Sequence, residues 1–366
     1  MPSARSPTIV VPMSKQSHSS EYRTNQFKNT NLPKKILLIR LDRIGDLVLT
    51  LPVDESLTNT TVHWWIPPGL SFITEHANPP RKANEVGRKF LIRNFLNLLN
   101  LVKSENYDAA IVFQAPWWIG LLLFLARVPL RGGVKSKWFS FLFFNRAIRQ
   151  KRSRAEVNEL EYNFQLVEKI LNLAARELPR THLHLHSSTP IEALAKFHLK
   201  QNQYMVVHPG MGGSALNWPT KHYIALIREL AKKTSVVITG TATDESYLEP
   251  IQKELKADPN INWLVGKCSG KELIAVLAGS QHVIAPSTGV LHLAASTGTS
   301  TIGIFSPIQV QHPRRWGPQG KKIQVLLPDV QCPGIHSCLG KSCPHFNCMD
   351  TISVIELLNK IESQQT

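Results

Sequence analysis

At 366 residues the chain is longer than one hydrophobic core usually supports, and it suits two domains. Hydrophobic residues make up 43% and charged residues 19%, the balance of a globular protein and not of a disordered or fibrous one. The formal net charge of +16 points to an acidic partner (nucleic acid, an anionic membrane surface or a phosphorylated substrate) or to a solubilising charge with no specific partner; no RNA-recognition or zinc-finger pattern supports nucleic acid.

Residues 1–32 are polar, rich in Ser, Thr, Asn and Lys, and lack the apolar core of a signal peptide; they are expected to be disordered. A buried strand is expected at KILLIRL (35–41), running into DRIGDLVLTLP (42–52). Gly45 permits a tight strand-to-helix turn and places Asp46 at a helix start. There Asp46 serves as a cap or projects into a cleft as a general base, and the helix start favours its ionised form. Arg40 and Arg43 flank the turn, either to meet an anionic substrate or as solvated surface charges. Further strands are expected at VHWWI (62–66) and DAAIVF (108–113). The apolar segment 117–130 falls short of the roughly 20 residues that span a bilayer, so it reads as a buried or interfacial helix. WFSFLFF (138–144) reads as buried core or as a segment resting on a membrane. Periodicity is lost near Ser187 to Pro190, as in a linker.

Beyond it, strands at YMVVH (204–208), SVVIT (235–239), HVIAP (282–286) and STIGIF (300–305) alternate with amphipathic segments at 222–233 and 271–280. This alternation in both halves predicts an α/β protein with two doubly wound parallel sheets and ligands at the strands' C-terminal ends. VVHPGMGGSALNWP (206–219) carries Gly210, Gly212, Gly213 and Ser214 in a loop whose N–H groups can form an anion nest, though it matches neither a P-loop nor a dinucleotide fingerprint. In ITGTATDE (238–245), Gly240, Asp244 and Glu245 are candidates for framing a ribose or base, with Glu245 the better one for a hydroxyl, while a capped helix start explains Asp244 and Glu245 equally. IAPSTGVLHLAAS (284–296) reads as a strand end, a turn at Ser287, Thr288 and Gly289, and a helix carrying His292. Unpaired N–H groups at such a helix start bind phosphate, Ser287 or Thr288 can cap it, and His292 is a core residue or faces the phosphate. Cys332, Cys338, Cys343 and Cys348 cluster without the paired CxxC of common zinc sites, so reduced structural thiols are expected ahead of a metal site. A last helix over 351–362 is expected to pack back across the domains.

These segments, in this order, resemble glycosyltransferase family 9, the lipopolysaccharide heptosyltransferase family. The matching residues are 35–52, 107–114, 208–219, 236–245 and 282–307, with CPHFNCMDTISVIELL (343–358) similar to the family's Cys-Met ending. The resemblance implies a GT-B fold: a Rossmann-like acceptor domain over 33–186, a linker over 187–200, a Rossmann-like donor domain over 201–349 and a closing helix over 350–366. It implies inverting, metal-independent transfer of a sugar, as from ADP-heptose, to a lipopolysaccharide-core or related glycolipid. No cofactor is implied, and the setting would be cytoplasmic with peripheral contact at the inner membrane. The family's catalytic aspartate maps onto Asp46, and its donor-phosphate turn onto Thr288, Gly289, Val290 and His292. Gly212, Gly213, Ser214, Gly240, Glu245 and Ser287 would complete the donor side. Gly45, Arg43, Arg81 and Lys135, with Lys82, Arg88 and Lys137 nearby, would serve an anionic acceptor. Two departures stand out. Ser287 occupies a position where relatives often have Asp, and Ala215, Leu216 and Asn217 fill the window before Trp218 where many carry a phosphate-binding lysine. Lys221 lies just past Trp218-Pro219, as a substitute or a surface charge. A family member with a different nucleotide sugar, and a non-catalytic nucleotide-sugar or polyanion-binding protein, remain the alternatives.

Overall fold

The computed structural model describes residues 32–187, 190–213 and 216–363. Nearly all of the N-terminal extension, and Ser214 of the glycine loop, lie outside the described residues.

Among the described residues twelve strands form two sheets. The first holds β1 (Lys35–Arg40), β2 (Thr61–Ile66), β3 (Ala83–Glu85), β4 (Ala109–Gln114), β5 (Leu130–Val134) and β6 (Arg146–Ile148) in the order β3-β2-β1-β4-β5-β6. The second holds β7 (Tyr204–Val207), β8 (Ser235–Ile238), β9 (Ile261–Trp263), β10 (His282–Pro286), β11 (Ser300–Ile304) and β12 (Ile323–Leu326) in the order β12-β11-β10-β7-β8-β9. Read outward from its first strand, each sheet has the same order, and every pairing is parallel. That is the doubly wound Rossmann arrangement twice over, the GT-B architecture. The strands read as apolar runs because helices cover both faces; Ile36 to Ile39 are wholly buried.

The helices are α1 (Ile44–Val48), α2 (Ser71–Glu75), α3 (Ile92–Glu105), α4 (Trp117–Leu125), α5 (Trp138–Phe143), α6 (Glu159–Leu171), α7 (Pro190–Lys196), α8 (Thr220–Ala231), α9 (Glu245–Leu255), α10 (Gly270–Ala278), α11 (Gly289–Ser296), α12 (Pro313–Trp316) and α13 (Val354–Ser363). In α8 the buried residues Tyr223, Leu226, Ile227 and Leu230 recur at three and four, the stripe a sheet-packed helix requires. Within the stretch expected to link the halves, α7 forms and packs on α10. The expectation that the last helix packs back across the domains is corrected. Leu357 and Ile361 of α13 join the same apolar cluster as Trp218 and Tyr223, so the helix covers α8 of its own half.

A single apolar cluster joins the two halves, running from Leu38 and Phe164 through Leu47 and Val290 to Val206 and Val283. The segment at 117–130 divides by face: Trp118, Ile119, Leu122 and Leu123 are buried, whereas Trp117, Phe124 and Leu125 are exposed.

Candidate active site at the junction of the two sheets

In a doubly wound sheet the crevice for a ligand opens where strand order reverses, beyond the strands' C-terminal ends. In the first sheet that point lies between β1 and β4, in the second between β7 and β10. The turn after β1 starts α1; the turn after β10 starts α11; and the two helices pack on each other. Contact is close in both directions. A methyl group on Gly45 would stand 2.8 Å from His292 Cδ2, and one on Gly289 would stand 2.6 Å from Ile44 Cβ. Glycine at both positions is what lets the helix starts meet.

Asp46 sits in the first turn of α1 with its side chain 14% exposed. It does not cap the helix: Arg43 holds the N-cap position and makes no side-chain cap hydrogen bond. One Asp46 oxygen accepts from Arg40 Nη2, while Arg40 Nε donates to Asp42 Oδ1 at 2.7 Å. Burial pushes the Asp46 carboxyl up to about 7, against the pull of Arg40 and helped by the neighbouring charges of Asp42 and Glu159. The expectation that a helix start keeps it readily ionised is therefore corrected, because desolvation outweighs a dipole confined to one short turn. A carboxylate poised near neutrality is suited to accept a proton.

Arg40 is buried and fully engaged, so it orients Asp46 and is no hand for substrate. Behind it stands Glu159, at the start of α6, which sequence gave no reason to single out. Its wholly buried carboxylate accepts from Arg152 Nη1, from Arg40 Nη1 at 3.4 Å and from Arg315 Nε at 3.0 Å. Burial alone would raise the Glu159 pKa; the three guanidinium groups outweigh it and hold the carboxyl below its ordinary value. Arg315 comes from α12, so this charge cluster spans both halves.

Opposite Asp46, Thr288 holds the N-cap position of α11 in extended conformation, but its hydroxyl makes no cap hydrogen bond. Thr288 Oγ1 and His292 Nδ1 are both buried and have no hydrogen-bond partner. Unsatisfied buried polar atoms are costly, and two beside one helix start make it a candidate place for a ligand. The first N–H groups of α11 likewise lack carbonyl partners within the helix. Burial pushes His292 down to about 4, so it is neutral at physiological pH and brings no positive charge. Val290 packs its side chain in the core, leaving only its backbone to face a ligand.

The glycine loop after β7 keeps Gly212 and Gly213 at φ +50° and +71°, with open space beside each. Two donor-side candidates have structural duties instead. Gly240 is a packing glycine whose added methyl would stand 2.8 Å from Leu248 Cδ1, and Asp244 closes a capping box with Thr241. Glu245 opens α9 and is exposed. His208 and Thr239, not anticipated, meet at 3.0 Å between the ends of β7 and β8. On the acceptor side Arg81 is corrected. Its guanidinium is buried and bonded to Asp54 at 3.1 and 3.2 Å and to Glu55, so it is spent inside the protein. Arg43 and Lys135 are exposed. Lys221 pairs with Asp350 at 2.7 Å on the surface.

The five cysteines are free thiols. Cys332, Cys338, Cys343 and Cys348 line a cavity of about 350 Å³ with Leu216 and Asp350. Among the described residues no group of three or more His, Cys, Asp or Glu is placed to hold a metal ion.

The profile of the family described as "Glycosyltransferase family 9 (heptosyltransferase)" matches residues 95–344. A Haemophilus influenzae protein provisionally named a glycosyltransferase is 27% identical over 311 residues, covering 78% of this chain and 86% of that protein. Lipooligosaccharide heptosyltransferase 2 of the same organism is 26% identical over 221 residues, 57% of this chain and 63% of that enzyme. The structure of Escherichia coli ADP-heptose LPS heptosyltransferase II superposes with a TM-score of 0.75 at 18% identity, covering 90% of this chain and 98% of that one. With the profile spanning most of the chain and the fold matching over 90% of it, the chain belongs to glycosyltransferase family 9, a family of enzymes related to the lipopolysaccharide heptosyltransferases.

Proposed function

We propose that the enzyme transfers a heptose from ADP-heptose to a hydroxyl of a lipopolysaccharide-core or related glycolipid, with inversion and without a metal ion. The observation that carries this reading is the meeting of α1 and α11. It sets a buried carboxylate of near-neutral pKa across from a helix start with an unpartnered buried hydroxyl. The donor is suggested by the name of the E. coli structure, and the acceptor by that of the lipooligosaccharide enzyme.

Asp46 takes the acceptor hydroxyl proton as that oxygen bonds to the anomeric carbon. On the opposite face the carbon–oxygen bond to the diphosphate breaks, and its electron pair leaves with ADP. Positive charge builds on the sugar ring, as in glycoside hydrolysis. The growing charge on the diphosphate meets the N–H groups of residues 288–290, the Thr288 hydroxyl and the glycine loop at 212–213, a fixed array that needs no reorganisation. Exposed Arg43 and Lys135, with Lys82, Arg88 and Lys137, would receive the acceptor's phosphates. The same reading places the enzyme in the cytoplasm.

The test is ADP release with ADP-heptose and a heptose-deficient lipopolysaccharide, compared across a panel of nucleotide sugars. Ser287 and Leu216, which depart from the family's donor-side pattern, favour keeping other donors in that panel. Transfer from a different nucleotide sugar alone would replace the donor assignment. Binding without turnover on every acceptor would replace catalysis with a binding role.

A further inference from the structure

We infer that the face formed by α4, α5 and the segment before α3 docks on an anionic lipid bilayer. The inference rests on the glycolipid acceptor proposed above. Trp138, Phe141 and Leu142 of α5 are 62–63% exposed, although each is large and apolar. They do not stand alone. The Trp138 ring lies 6.5 Å from that of Trp117 on α4, which in turn stacks on Phe90 at 6.0 Å. Leu91 and Ile92 extend the surface and are more than half exposed. A contiguous aromatic patch of this kind has no solvent role and marks an interaction surface. Indole and phenyl rings set among cations suit the headgroup region of a membrane.

Charge selects the partner. Residues 109–155 contain nine Lys or Arg and no Asp or Glu, and of these Arg152 is turned inward to Glu159. Exposed Arg88 and Lys89 precede Phe90, and Lys135 Nζ lies 4.6 Å over the Phe141 ring. A second copy of the chain docking through a two-fold axis would set these cations against themselves. An anionic leaflet neutralises them while its interface accepts the rings. Attachment would be peripheral: among the described residues no helix is long and apolar enough to cross a membrane.

The patch also lies where a lipid acceptor must arrive. Trp117 follows the C-terminal end of β4. Arg88 Nη1 donates to the carbonyl of Leu41 at 3.1 Å, and Trp118 Nε1 donates to the carbonyl of Arg88 at 3.1 Å. The aromatic face is thereby tied to the strand end that leads into Asp46, so docking here brings headgroups to the acceptor side of the junction.

The experiment is flotation of the full chain with vesicles of phosphatidylethanolamine and phosphatidylglycerol, and with vesicles of phosphatidylcholine alone. The expected result is binding to the anionic vesicles, weakened by salt, and little to the neutral ones. Trp138→Ser with Phe141→Ser, and separately Lys89→Glu, are expected to lower the bound fraction roughly tenfold and about threefold, with unchanged melting temperature because these side chains are exposed. The double variant should keep transfer to a delipidated, water-soluble acceptor and lose transfer to acceptor held in vesicles. Equal binding to both vesicle types, or unchanged binding by the double variant, would overturn the inference. So would a concentration-dependent dimer abolished by the double variant in a protein that ignores vesicles, which would give the face to a second copy. Flotation needs neither donor nor turnover. Vesicle binding without transfer from ADP-heptose would therefore sink the proposed reaction alone, and transfer without vesicle binding would sink the docking surface alone.

Discussion

Gly45 of the first half faces the imidazole of His292 in the second, with no room for a methyl group between them. The two residues are far apart in sequence, and their contact sets the spacing of the two helix starts. Gly45→Ala is expected to cost about 1–3 kcal/mol of stability, as overpacking does, and to lower kcat/KM by displacing Asp46. His292→Ala in the same chain should restore part of the loss. Thermal melts of the two single variants and the double give the coupling energy, and strict additivity would refute the contact.

Asp46→Asn keeps the shape of the side chain and removes its ability to take a proton. A loss of roughly 10²–10⁴ in kcat is expected, the range for a positioned general base. Donor affinity, measured by calorimetry with ADP, should stay close to that of the unchanged enzyme.

The raised pKa of Asp46 makes two pH statements. The proposed base role requires the ionised form, so kcat/KM should rise with pH through about 7 and level off above it. Stability runs the other way. Between the ordinary value of 3.8 and about 7 the folded chain holds a proton that the unfolded chain has released, so this group's contribution to stability falls as pH rises through that window. At pH 8 Asp46→Asn should therefore melt a few degrees higher than the native chain while working far more slowly; a lower melting temperature would contradict the burial argument.

Glu159→Gln leaves Arg40, Arg152 and Arg315 buried or half-buried around a neutral amide. A loss on the order of 3–5 kcal/mol is expected, the cost of breaking a buried ion pair from one side. The carboxyl titrates below its ordinary value in the folded state. Its stabilising contribution is thus complete above the unfolded pKa and is lost as pH falls through the folded one. Acid unfolding of the variant, followed by circular dichroism, should set in at higher pH than that of the native chain.

Thr288→Val removes a buried hydroxyl that has no partner in the ligand-free chain. Stability is expected to hold or to rise slightly, because an unsatisfied polar atom is replaced by a methyl. The Kd for ADP should weaken roughly tenfold, the loss of one good hydrogen bond to a charged group. Unchanged ADP binding would remove Thr288 from the donor site.

Seven of the twelve strands were legible because strands covered on both faces become apolar runs, as in Ile36 to Ile39. The short strands were hidden by composition. β5 reads Leu-Arg-Gly-Gly-Val, and its Gly132 is there to admit Ile170 of α6. The positions of Asp46 and of the Ser-Thr-Gly turn, each at a helix start after a strand, were legible. What could not be read was anything set by a distant partner. Arg81 looked available until Asp54 and Glu55 folded against it, and His292 looked like an ordinary core histidine or a phosphate ligand until Gly45 arrived beside it. Glu159 sits in an ordinary amphipathic helix, and its importance exists only where residues 40, 152 and 315 converge.

One of those three, Arg315, belongs to the far half of the chain, and it bears on Asp46 through Glu159 and Arg40. Were the halves to part, Glu159 would lose a counter-ion and Asp46 would gain water, and water relieves the burial that holds its carboxyl near 7. The basicity of the proposed base is then a measure of closure itself: Asp46 is poised near neutrality only when both halves are in register.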